Sequence, residues 1–168
     1  MKQIKEYLRW KGITRAKLLM RQRIASDWFL TAYMTHEQKK MLVETGDPVR
    51  YGTLFLSFVE ISKANIGGSL AECGVYKGSL SKFLHQAFPD RKLFLFDTFG
   101  GFDKRDSDTE DDKRFADTSE QFVLKYIGDD HNIIIRKGYF PETAFGLEQE
   151  RFALVVIDFD KYEPTLTA

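Results

Sequence analysis

Short apolar runs alternate with helical patterns along the later two thirds of the chain. Each apolar run is too short for a helix and is bounded by polar or glycine-containing turns, so four strands are predicted, over 69–73, 93–96, 132–135 and 152–157. Helical spacing of apolar residues predicts helices over 51–64, 79–87 and 119–127. Continuous apolar strands separated by helices indicate a parallel sheet that is covered on both faces. The sequence therefore predicts an α/β protein with a doubly wound, mostly parallel sheet.

The N-terminal segment has a different pattern. From Lys2 to Arg23 it carries eight basic residues and one acid, and its apolar positions predict one or two amphipathic helices broken near Gly12. We favour an arm that packs on the domain or on a second subunit, and the alternative is attachment to an anionic membrane or nucleic acid. We assign 1–48 to this basic arm or lid and 49–168 to the α/β domain.

Composition narrows the class of protein. A chain of 168 residues with 43% hydrophobic residues is expected to form one soluble globular domain. Its net charge of zero argues against general binding of nucleic acid, and its single cysteine excludes an internal disulfide framework. No apolar run approaches the roughly 20 residues of a membrane span, and no signal-peptide core is present. We expect a cytoplasmic protein without a nucleic-acid or membrane partner.

A glycine turn follows the first predicted strand. Ligands of doubly wound sheets bind beyond the carboxyl ends of the strands. Gly74 and Gly78 let the backbone approach a ligand closely, and the helix that begins at Ser79 offers free N–H groups. The Gly-x-x-x-Gly spacing matches neither the dinucleotide fingerprint nor the P-loop, and Glu72 suits a cationic or hydroxylated ligand better than a phosphate. A turn of purely structural importance is the alternative.

Asp97 ends the second predicted strand. An acid at this place can accept hydrogen bonds from both ribose hydroxyls of a nucleoside. Thr98 and Phe99 begin a turn whose apolar groups can flank an adenine. The alternative for Asp97 is a turn residue or a helix cap.

Two acids follow the fourth predicted strand. Asp158 and Asp160 can hold Mg²⁺ or another hard divalent cation, with Asp158 the first choice as ligand and Asp160 the second. Lys161 has two interpretations. It is a surface lysine paired with Glu163 or Asp160, or it accepts a proton in catalysis.

Four motifs in this order resemble the macrocin-type O-methyltransferases, which are class I S-adenosylmethionine-dependent enzymes with a Rossmann-like fold: ECGVYKGSLS, LFLFDTFGGFD, KGYFPET and ERFALVVIDFDKYEPT. The resemblance spans roughly residues 50–168. It implies that Glu72, Gly74 and Gly78 shape the methionine and ribose end of the cofactor site and that Asp97 binds the ribose. It also implies an adenine pocket lined by Gly138, Tyr139 and Phe140. Ser79 departs from the family, which more often has a glycine there.

The resemblance also implies metal-assisted methylation of a small-molecule hydroxyl. Mg²⁺ held at Asp158 and Asp160 would orient the acceptor, and Asp160 and Lys161 are the candidate catalytic groups. The sugar methyltransferases usually carry leucine at the position of Lys161, whereas catechol-type enzymes carry lysine. A sugar and a phenolic hydroxyl therefore both stay open as acceptors.

The resembled enzymes continue beyond the fourth strand with further strands and an Asp-Asp pair that completes the metal site. We therefore expect the C-terminal part of the fold to be absent from these 168 residues and turnover to be weak or absent unless another subunit supplies it. The alternative function is a truncated or non-catalytic nucleoside-binding or assembly module of the same fold. We also expect a homo-oligomer.

Overall fold

A computed structural model of the chain describes residues 35, 36, 40, 47–106 and 112–168. The basic segment of residues 2–23, and with it the helices predicted on either side of Gly12, lies outside these residues. The chain divides after Ala64 into two units, and the sheet belongs to the second unit.

Helix α1, Pro48–Lys63, belongs to the first unit. Asp47 caps it, because its side chain accepts a hydrogen bond from the Arg50 amide at 3.0 Å. The proline stands in the first turn, where its missing N–H costs nothing. The buried side chains are Tyr51, Phe55, Phe58 and Ile61. The predicted helix is confirmed. It begins at Pro48 rather than at residue 51, because Asp47 caps it there.

Four parallel strands form one sheet. They are β1 Ser69–Cys73, β2 Leu93–Asp97, β3 Ile133–Lys137 and β4 Phe152–Ile157. The strands lie in the order β3-β2-β1-β4, and the register pairs Glu72 with Leu95 and Cys73 with Ile157. Because the strands are parallel, their carboxyl ends meet at one edge of the sheet. The predicted parallel α/β fold is confirmed.

Both faces of the sheet are covered. Helices α2, Ser79–Ala87, and α3, Glu120–Ile127, pack together on one face. The fully buried side chains of that layer include Leu70, Phe83, Leu84, Leu93, Leu95 and Val123. On the other face Ala71, Cys73, Phe94 and Phe96 form a cluster beneath the partly buried side chains of Ile134, Phe140, Ala144, Leu147, Phe152 and Phe159. The 3₁₀ helix Glu142–Ala144 contributes to this second layer.

Strand β4 pairs with β1, and within the described part of the chain no other strand lies beside it. Val155 and Ile157 are 44% and 43% exposed. Helix α4, Tyr162–Thr167, follows this strand. None of the helices described is both long and apolar enough to cross a membrane.

Candidate functional site

The turn between β1 and α2 depends on two glycines with positive φ, Gly74 at 92° and Gly78 at 78°. A Cβ at Gly74 would lie 2.1 Å from the carbonyl oxygen of Asp158 at the end of β4. A Cβ at Gly78 would lie 2.8 Å from Cγ1 of Val123 on α3. Both glycines are therefore required by the chain's own backbone and helix packing, in addition to any close approach to a ligand.

Asp97 binds this turn through its side chain. Its Oδ2 accepts hydrogen bonds from the amides of Val75 at 2.7 Å and Tyr76 at 2.9 Å. Its Oδ1 accepts the amide of Phe99 at 2.7 Å. The Thr98 hydroxyl also lies 3.5 Å from Oδ1, but its one proton is donated to the Gly101 carbonyl oxygen, which is much closer. A carboxylate has about four acceptor positions, so the two turn amides occupy Oδ2 while Oδ1 retains room for a further donor. Asp97 therefore connects the loops that follow β1 and β2.

Glu72 is buried against helix α2. Its side chain is 2% exposed, and its Oε2 accepts a hydrogen bond from the Ser81 hydroxyl of α2 at 2.5 Å. The neighbouring Cys73 is buried on the opposite face of the sheet. Burial, together with the charge of Glu72, raises the pKa of the Cys73 thiol to about 12. Glu72 thus supports the turn from inside the protein, and Cys73 is a packing residue.

The loop 112–118 covers the outer side of the glycine turn. The Thr118 hydroxyl donates to the Tyr76 carbonyl oxygen at 2.5 Å, and the Phe115 ring meets the Tyr76 ring edge-on with centroids 4.9 Å apart. Asp117 accepts hydrogen bonds from the Lys77 ammonium at 2.5 Å and the Tyr76 hydroxyl at 2.9 Å. The hydrogen bond from Lys77 is the main reason that the pKa of Asp117 is lowered. The loop and the turn form one hydrogen-bonded unit.

The segment after β3 reaches the same edge. The Gly138 amide donates to the main-chain oxygen of Asp97 at 2.9 Å. The Tyr139 hydroxyl donates to Asp106 at 2.8 Å, which raises the pKa of Tyr139. The Phe140 ring packs edge-on against Phe96, with centroids 5.5 Å apart. The three residues that the resemblance assigns to the adenine pocket therefore contact the end of β2 and the loop after it, and Gly138 contacts Asp97 directly.

Thr98 and Phe99 shape the turn after β2. The Thr98 hydroxyl donates to the carbonyl oxygen of Gly101. Phe99 has a positive φ of 52° and is 5% exposed. Its buried ring belongs to the protein interior in this structure, while its amide contacts Asp97.

The end of β4 lies beside the glycine turn. The Asp158 amide donates to the Cys73 carbonyl oxygen at 2.7 Å. Asp160 is exposed and has a φ of 57°. Lys161 is 16% exposed, and its ammonium lies 3.7 Å from Asp112 and 4.9 Å from the centroid of the Phe102 ring. Lys161 therefore contacts the loop after β2, where Asp112 is an ion-pair partner. The pairing with Glu163 or Asp160 that the sequence suggested stays a prediction.

Asp112 is the acid that the sequence interpretation missed. Its two oxygens accept from Nε of Arg114 at 2.9 Å and from Nη2 at 2.6 Å, and these hydrogen bonds hold its pKa well below the usual range. Asp112 lies in an acid-rich stretch, and the sequence pattern does not distinguish it from the neighbouring carboxylates. In the described part of the chain, no group of three or more His, Cys, Asp or Glu side chains is arranged to hold a metal ion.

The edge of the sheet thus brings together the glycine turn, Asp97, the segment 138–140 and Asp158, while Glu72 lies behind them. A parallel sheet in the order β3-β2-β1-β4 with this turn and acid defines a Rossmann-like α/β protein.

Comparison with known proteins gives the family. The sequence pattern of the macrocin-O-methyltransferase (TylF) family matches residues 40–168, and the chain belongs to this family. The solved structure of the O-methyltransferase NovP has a TM-score of 0.54 and 22% identity over 67% of this chain, and this chain covers 55% of NovP. The structure of CalS11, a calicheamicin methyltransferase, has a TM-score of 0.47 and 18% identity over 89% of this chain, and this chain covers 68% of the CalS11 chain. No curated protein sequence matches the chain.

Proposed function

We propose that the protein binds S-adenosylmethionine and belongs to an enzyme that transfers its methyl group to a hydroxyl of a small molecule. The match to the macrocin-O-methyltransferase family carries this proposal, because residues 40–168 include every part of the candidate site. The chain spans about half of the NovP structure, 55%. The cofactor, the acceptor and the reaction are therefore proposed here for the whole protein.

The cofactor would bind along the carboxyl ends of β1, β2 and β3. The backbone of the turn from Gly74 to Ser79 would contact the methionine part. Asp97 would accept a ribose hydroxyl at Oδ1, where the Phe99 amide is the close donor and the Thr98 hydroxyl, 3.5 Å away, donates to Gly101 instead. Glu72 would act through Ser81 and α2, and the segment 138–140 would line the adenine pocket, with Thr98 and Phe99 shaping the adjoining turn.

Methyl transfer needs an aligned acceptor and a place for its proton. The acceptor oxygen forms a bond to the methyl carbon while the carbon–sulfur bond breaks, and the sulfonium becomes a neutral thioether. The hydroxyl proton passes to a base, for which Asp160 and Lys161 are the candidates. Lys161 contacts Asp112 in this structure, so its amino group would have to leave Asp112 in order to reach an acceptor.

Mg²⁺ or another divalent cation is a separate proposal. Asp158 and Asp160 offer two carboxylates, whereas an octahedral ion takes six oxygen ligands. Among the described residues no third His, Cys, Asp or Glu side chain joins them in a metal-binding group, so these two carboxylates alone do not complete a metal site. The chemistry above does not pass through the ion, and magnesium dependence is measured independently of cofactor binding.

Calorimetric titration with S-adenosylhomocysteine tests cofactor binding. We expect saturable binding by the wild type and at least a roughly tenfold loss in Asp97→Ala, because charge-assisted hydrogen bonds to the ribose disappear. Asp90→Ala, at an exposed acid before β2, is the matched control and should bind as the wild type does. Folded wild-type protein that releases no heat would refute the proposal.

The second candidate function is a nucleoside-binding or assembly module without turnover. A methyl-transfer assay on the same preparation, with sugar and phenolic acceptors, distinguishes the two candidates. Binding of S-adenosylhomocysteine together with methyl transfer supports the enzyme. Binding without methyl transfer, whichever acceptor or metal ion is added, supports the module.

A further inference from the structure

One side chain joins the loop after β2 to the segment after β3. Nε and Nη2 of Arg105 donate to the two oxygens of Asp103 at 2.8 and 3.1 Å. Its Nη1 donates to Glu142 at 2.7 Å. The guanidinium carbon also lies 3.6 Å from the centroid of the Tyr139 ring. Arg105 thus donates to Asp103 in the loop after β2 and to Glu142 in the segment after β3, and its guanidinium stacks on the Tyr139 ring.

The Tyr139 ring is fixed at both ends as well as on this face. Its hydroxyl donates to Asp106 at 2.8 Å, and the preceding amide, Gly138, donates to the Asp97 main chain at 2.9 Å. The contacts of Arg105 therefore set the orientation of the Tyr139 ring, and the residue before Tyr139 is hydrogen-bonded directly to Asp97.

We propose that Arg105 is a positioning residue that sets the affinity for the adenine end of the cofactor by holding the Tyr139 ring in place. This inference rests on the proposed function, because it takes the segment after β3 to line the adenine pocket. It assigns the role to a residue that none of the four sequence motifs contains.

The planar guanidinium is essential to this role. It can make the paired contact with Asp103 and lie flat on an aromatic ring at the same time, whereas a lysine ammonium offers only a point charge. The hydrogen bonds from Arg105 lower the pKa of Asp103 to about 2, so this ion pair is fully charged near neutral pH.

Titration of three variants with S-adenosylhomocysteine tests the inference. We expect Arg105→Ala to weaken binding roughly threefold to tenfold, the scale of a cation–π contact with an ion pair. Arg105→Lys should restore only part of the loss. Lys104→Ala removes the exposed cation next to it and is the matched control, with affinity equal to that of the wild type.

A double-mutant cycle separates positioning from general destabilisation. In a Tyr139→Leu background, Arg105→Ala should produce no further loss, because Arg105 acts through the ring. Equal losses in both backgrounds would overturn the inference, as would unchanged affinity in Arg105→Ala when the wild type binds. Failure of the wild type to bind overturns the proposed function itself, so the two failures are distinguishable.

Discussion

Replacing Asp97 by asparagine should destabilise the protein even when no ligand is present. The carboxylate accepts three backbone amides, from Val75, Tyr76 and Phe99, at 2.7 to 2.9 Å. An asparagine side chain offers one oxygen and one donor group, so at least one of these amides must face an N–H₂ group. The two loops would then lose part of their connection.

The magnitude follows from the type of bond. Hydrogen bonds to a charged acceptor contribute about 1.5–3 kcal/mol each, and neutral ones contribute roughly 1 kcal/mol. Losing one bond and weakening two others from charged to neutral strength gives an expected loss of at least about 2.5 kcal/mol in the free energy of unfolding. Asp97→Ala removes both acceptor oxygens, and with them all three hydrogen bonds, and should cost at least as much.

Urea unfolding followed by circular dichroism measures this loss, with Asp90→Asn as the exposed control. The change should appear as a lower midpoint with an unchanged slope. An Asp97→Asn protein within about 0.5 kcal/mol of the wild type would refute the structural role, even if its affinity for S-adenosylhomocysteine fell. Asp97 would then serve the ligand alone.

Three further predictions concern single groups. Gly74→Ala should lower the free energy of unfolding by more than about 2 kcal/mol, because φ is 92° and the new Cβ would lie 2.1 Å from a carbonyl oxygen. Gly67→Ala is the control and should change the free energy of unfolding little, because no atom lies within 4 Å of its new Cβ. Urea unfolding compares the two variants, and equal effects would contradict the packing. With a pKa raised to about 12, the Cys73 thiol stays protonated at pH 8 and should react with a disulfide reagent only after unfolding; rapid labelling of the native protein would contradict its burial. Arg114→Ala should raise the pKa of Asp112, whose lowered value comes mainly from hydrogen bonds to this guanidinium; carboxyl-carbon NMR titration measures the change, and an unmoved titration would show that the pair does not form in solution.

The sequence predicted the strands because parallel strands buried on both faces are continuous apolar runs. It placed the end of the third strand two residues too early. Arg136 and Lys137 are polar, yet they continue β3 because they pair with Phe96 and Asp97 of β2 in the sheet. Hydropathy detects burial, whereas the length of a strand is set by backbone pairing with its neighbour, and the sequence pattern does not contain that pairing.

The same distinction applies to the site. An acid after a strand was visible, so Asp97 was identified, but its partners are backbone amides that every residue possesses. The contacts of Arg105 with Glu142 and of Lys161 with Asp112 join residues far apart in the chain. No spacing rule connects such pairs, because they follow from how two loops meet above the sheet.

The contact between Gly74 and the end of β4 has a consequence for the proposed enzyme. The cofactor would lie along the turn at Gly74, and the acceptor would lie near Asp158, so the two binding regions share one close backbone contact. A displacement of either segment must move the other, and thermodynamic linkage makes such an influence reciprocal. We therefore expect that substitutions made near Asp158 to change the acceptor will also alter the affinity for S-adenosylmethionine, so that acceptor choice and donor affinity cannot be engineered independently.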